Sequence, residues 1–134
     1  IRRCLVGSEM CIRDSNKDGY KFKKSYPYPT GENTLGLNCL NDCNFNYPSK
    51  YSKFLLRGYG HVSTFSTKKG INGLYDMGGN VWEWVDINDN SYKGTKGGSW
   101  WYGKNQMIQG YNATKPKNMS AVYIGFRCVK DFKN

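Results

Sequence analysis

The segment Asn72 to Val85, NGLYDMGGNVWEWV, constrains this chain more than any other. Gly78 and Gly79 let the backbone curl tightly, because a residue without a Cβ enters left-handed conformations at no steric cost. Directly after them, Asn80 to Ile87 (NVWEWVDI) alternates with period two and predicts a half-buried strand. Alternation puts Trp82 and Trp84 on one face and Glu83 on the other. Two indoles then fall to the core, and one carboxylate is turned away from them. Asp76 and Glu83 bracket the Gly-Gly turn. Two carboxylates together with inward-pointing backbone carbonyls form a hard oxygen donor set that suits Ca²⁺. The competing reading is that the two acids cap the turn and pair with a nearby Lys or Arg.

The rest of the chain fits one domain of short strands and long loops. Its 134 residues suffice for one domain and not two. A mean hydropathy of −0.74 allows only a modest core. Eleven Tyr, four Trp and sixteen Gly point to loops pinned by aromatic rings rather than a helical bundle. Residues 16–60 are polar and interrupted by Pro27, Pro29, Gly31, Gly36 and Pro48, so they read as turns. His61 to Phe65 predicts a short strand, Asp89 to Lys96 a polar turn, and Gly97 to Tyr102 another strand start. Met119 to Lys130 begins irregular and ends as a strand. Trp100 reads as core, with Trp101 facing away from it. In Gly125 to Cys128, Phe126 and Cys128 share one face and Arg127 takes the other. No amphipathic helix is evident after residue 16, and no apolar run is long enough to span a membrane.

Net charge is +10, which raises nucleic acid as a partner. The lysines are dispersed, however, through positions such as Lys21, Lys50, Lys68, Lys93 and Lys96. No basic helix or RNA-binding aromatic motif accompanies them. A lysine-rich solvated surface is the better reading, with no nucleic-acid partner.

Leu5 to Ser15, LVGSEMCIRDS, resembles the conceptual translation of a transposase adapter used in sequencing libraries, residue for residue. Residues 1–15 are therefore expected to be adapter-derived on a metagenomic fragment. Residues 16–134 are expected to form a partial domain whose N-terminal portion is missing. A signal-peptide core is the alternative, but Glu9, Arg13 and Asp14 interrupt any apolar stretch. Cys39, Cys43 and Cys128 remain after residue 15. Cys39-x-x-x-Cys43 does not make a zinc set easily, because His61 is the single histidine.

Three segments in order, NGLYDMGGNVWEWV at 72–85, KGGSW at 96–100 and IGFRCV at 124–129, resemble the C-terminal half of formylglycine-generating enzymes, the sulfatase-modifying-factor family. The resemblance covers residues 60–130 strongly and 25–60 weakly. It implies an α+β, C-type-lectin-like fold with much irregular structure. It also implies a calcium ion held by the Asp76 and Glu83 side chains and the Gly79 and Val81 carbonyls. A second calcium position would use Asn38 and the Cys39 carbonyl, but its expected acid is not evident in Tyr51 to Gly60. A cysteine at the position of Cys128 forms a structural disulfide in some relatives; here its partner would be Cys39, Cys43 or an upstream residue, and a free buried thiol is the alternative.

The family's oxidase chemistry needs two thiols that bind copper, between its Gly-Gly-Ser and Gly-Phe-Arg segments. Here, Ser99 to Gly125 holds no cysteine. Copper and formylglycine generation are thus not expected, and no catalytic residue is assigned. What remains is a binding domain for a peptide, glycan or small molecule, or a non-thiol enzyme domain. One such enzyme is an iron-dependent sulfoxide synthase of the ergothioneine type, with iron supplied by an upstream domain. An active formylglycine-generating oxidase is the last alternative. An extracytoplasmic location is favoured over a cytoplasmic one.

Overall fold

The computed structural model describes residues 25–41, 43, 60–86 and 91–128. The adapter-like stretch, the strand end at 129–130 and all of 44–59 lie outside the described residues. Four short strands form one mixed sheet: β1 (Trp82–Val85), β2 (Tyr92–Lys96), β3 (Ala113–Pro116) and β4 (Ile124–Gly125). Their order is β3-β2-β1-β4, with β1–β2 and β2–β3 antiparallel and β1–β4 parallel. Among the described residues, helix is limited to a 3₁₀ turn at Lys104–Met107.

β1 forms within the stretch where period-two alternation predicts it; Trp82 is buried, whereas Trp84, expected in the core beside it, is only half-buried. The segment expected to be a polar turn at 89–96 instead contributes β2 over Tyr92–Lys96. Its local composition, with two lysines and a glycine, disfavours a strand. Its pairing to both neighbours overrides that preference, with Trp84 opposite Thr95 and Gly94 opposite Thr114. Gly97 to Tyr102 is not a strand. Gly97 and Gly98 adopt φ of +91° and +72°, which ends β2 and turns the chain. Nor is His61 to Phe65, where Phe65 takes φ +64° and its N–H donates to the Asp76 side chain.

The interior is small, as the hydropathy requires. Leu37, Cys39 and Met107 form a buried cluster, with Tyr28 and Cys43 packed against it. Trp100 is fully buried and touches Trp101 edge-on at 5.0 Å. Cys39 and Cys43 are joined in a disulfide. Among the described residues Cys128 is a free thiol, and it is exposed rather than buried.

Candidate functional site

Two neighbourhoods gather chemistry-bearing side chains: the turn that precedes β1, and the face of the sheet that carries its tryptophans.

The turn is built by side chains that replace missing ladder bonds. Asn72 Oδ1 accepts the Leu74 N–H at 3.0 Å, and Gly70 N–H donates to the Leu74 carbonyl at 2.8 Å. Asp76 enters the left-handed region at φ +57°, and each oxygen of its carboxylate accepts one hydrogen bond. Oδ2 accepts the Phe65 N–H at 2.8 Å, and Oδ1 accepts the Thr67 hydroxyl at 2.6 Å. Gly79, at φ +76°, lies against the backbone of Asn38. Buried Asn80 then ties three loops: its N–H donates to Asn38, its Oδ1 accepts the Val62 N–H, and its Nδ2 donates to the Val62 carbonyl.

Glu83 is buried on the face opposite Trp82, as alternation predicts. Its carboxylate is gripped by Arg127, which follows β4. Arg127 Nε donates to both Glu83 oxygens at 3.0 Å, and Nη2 donates to Oε1 at 2.6 Å. Nη2 also reaches the carbonyls of Tyr75 at 2.9 Å and Asp76 at 3.2 Å. Burial pushes the Glu83 carboxyl above its ordinary range, and this outweighs the opposing pull of Arg127. The hydrogen bond to Glu83 raises the Arg127 pKa in turn.

Asp76, Gly79, Val81 and Glu83 therefore stand within one turn and strand. The two carboxylates hold different partners: Asp76 accepts from Phe65 and Thr67, whereas Glu83 accepts from Arg127. Asn38 and Cys39 are both buried, and Asn38 Nδ2 donates to the Gly60 carbonyl at 2.9 Å. Arg127 is the residue sequence reasoning left without a named partner. Forty-four positions separate it from Glu83, and only the parallel pairing of β4 with β1 joins them.

The second neighbourhood is the tryptophan face. Register places Lys93 directly opposite Lys115 on β2 and β3, on the side where Trp84 faces Thr95. Trp84, Val85, Asp86, Lys93 and Lys117 line an open cleft of about 350 Å³. Lys93 lies 3.4 Å from the exposed Asp86 carboxylate. Lys115 holds its ammonium 5.5 Å from the Trp82 ring centre and 5.4 Å from that of Tyr102. Tyr102 and Tyr111 flank Trp82, and Tyr123 bridges Tyr102 to Trp101, giving a continuous band of rings.

A small mixed sheet surrounded by long turns, with its two tryptophans on β1 and its closure through Gly-Phe-Arg, defines a fold class before it defines a family. The sulfatase-modifying factor enzyme 1-like domain family matches residues 15–132. The chain belongs to that family. Among solved structures, it is similar to Treponema denticola variable protein 1, at 20% identity and a TM-score of 0.47. That match covers 70% of this chain, which spans 34% of the length of the matched one. No curated protein matches the sequence.

Proposed function

We propose that this chain is a ligand-binding member of its family, without thiol-oxidase chemistry, and that it takes a small acidic sugar in the cleft over Trp84. One observation carries the reading: two lysines face each other across β2 and β3 beside an aromatic floor. Like charges directly opposite on a sheet are destabilising. Among the described residues, neither ammonium meets a buried acid: Lys93 meets an Asp86 side chain that is 65% exposed, and Lys115 rests on rings. An anionic guest relieves that repulsion.

The remaining lining fits the same guest. Trp84 offers a flat face on which a sugar ring stacks, and Lys93 and Lys117 offer donors to its carboxylate. Asp86 offers an acceptor for hydroxyls. A cleft of about 350 Å³ sits at the small end of ligand sites, which suits a monosaccharide. The stretch Ser99 to Gly125 supplies no thiol, so the family's copper chemistry has no ligand pair there.

Titration calorimetry with glucuronate and with its uncharged methyl ester tests this reading. The acid binds and the ester does not, and Lys93→Met weakens the acid about tenfold, as loss of one hydrogen bond to a charged group would. Equal affinity for acid and ester, or an unaffected Lys93→Met, defeats it.

A further inference from the structure

We infer that Arg127, not a calcium ion, is the cation that closes the turn before β1, so that this domain folds and holds together without calcium. Calcium takes six to eight oxygen ligands. Of the four positions the family resemblance offers, both side-chain donors are already committed within the protein. Asp76 accepts a backbone N–H and a hydroxyl on its two oxygens. Both oxygens of Glu83 face the Arg127 Nε, and Oε1 also accepts from Nη2. Two carbonyls, at Gly79 and Val81, do not make a calcium site by themselves. The donor set does not fit the ion in this arrangement.

It does fit a guanidinium. A planar fork with five N–H donors matches a carboxylate edge-on, with donors left for further acceptors. Arg127 uses that geometry through two of its three nitrogens: Nε and Nη2 on Glu83, and Nη2 also on the carbonyls of Tyr75 and Asp76. Positive charge thus sits against the same Glu83 carboxylate that a metal would neutralise, and against the Tyr75 and Asp76 carbonyls of the same turn. The Arg127 side chain is 29% exposed and the Glu83 side chain 7%, so the pair is shielded on the carboxylate side. One residue also does what an ion could not. It is covalently part of the segment after β4, so it fastens that strand to β1 while it closes the turn.

The test is calcium titration of the full chain by calorimetry, with thermal melts in EDTA and in millimolar calcium chloride. The wild-type melt is expected to be the same in both, with no saturable heat. Arg127→Met is expected to melt lower and to gain a calcium-dependent rise in melting temperature, because Glu83 and the Asp76 carbonyl are vacated. Arg127→Lys serves where the methionine variant does not fold: it keeps the charge, reaches fewer acceptors, and melts between the two without a calcium response. Saturable calcium binding by the wild type tighter than about 1 mM, the weak end of protein calcium sites, and lost in Glu83→Gln, overturns the inference.

Discussion

Replacing Gly79 by alanine should damage this fold far more than one methyl group suggests. A Cβ there would collide with the Asn38 carbonyl oxygen and come within 2.9 Å of its carbon and 3.1 Å of the Asn38 nitrogen. Those atoms are backbone, so no side chain can swing aside. The φ of +76° adds a left-handed penalty of about 1–2 kcal/mol for any residue with a Cβ. Relief of the clash must stretch the Asn80 N–H to Asn38 carbonyl bond, now 2.8 Å, whose loss costs about 1 kcal/mol. The expected total is about 3 kcal/mol, or roughly 12 °C in melting temperature for a domain of this size. Gly110→Ala is the control. Nothing lies within 4 Å of its added Cβ, and its φ is not left-handed. It should be neutral, or stabilising by up to about 1 kcal/mol through the unfolded chain. The assay is thermal unfolding of both variants beside the wild type. If Gly79→Ala melts within about 2 °C of Gly110→Ala, the close approach of residues 38 and 79 is refuted.

Four further outcomes follow from the same contacts. Arg127→Met and Glu83→Gln should each cost about 3 kcal/mol, and the double variant should cost less than their sum by at least 0.5 kcal/mol; strict additivity in denaturant melts would deny the coupling. Glu83 has its folded pKa raised by burial, so the folded state holds that proton more tightly than the unfolded one. Its contribution is therefore fully present below about 4.5 and lost as pH rises through the folded pKa. The stability difference between wild type and Glu83→Gln, followed from pH 4 to 7 (a range about the ordinary carboxylate pKa), should shift against the wild type as pH rises, and a shift the other way contradicts the assignment. Opening the Cys39–Cys43 disulfide, by reductant or by paired serines, removes a closed loop of four-residue separation. That should lower stability by roughly 2 kcal/mol on loop-closure grounds, and an unchanged denaturation midpoint would show the bridge to be idle. Lys115→Met loses two ring contacts but also its repulsion from Lys93. The two effects are of similar size, so its stability should stay within about 0.5 kcal/mol of the wild type while acid binding falls.

What the sequence disclosed, and what it withheld, divides along a physical line. β1 was legible because Trp82 and Trp84 alternate with Glu83 directly after a Gly-Gly turn. The family was legible for the same reason, since a long string of Trp and Gly has few ways to arise. β2 was not legible: Tyr92-Lys93-Gly94-Thr95-Lys96 has no strand pattern of its own and is held by partners on both edges. The 97–102 stretch misled through Trp100 and Trp101, whose aromatic character suggests a strand while Gly97 and Gly98 impose a turn. The pairing of the acids near the turn with an arginine was one of two readings that local sequence allowed. Which arginine, and which acid, depended on β4 lying parallel to β1, a contact no local pattern encodes. The lysine pair at 93 and 115 was hidden in the same way, because it exists only as a register between strands.

The measurement that tests the functional account most directly is a nuclear magnetic resonance titration of the isotope-labelled chain with sodium glucuronate, with glucose as the uncharged comparison. Saturable shifts of the Trp84 indole and of the backbone around Lys93 are expected with glucuronate alone. Shifts of equal size with glucose, or shifts that leave Trp84 and Lys93 unmoved, would contradict it.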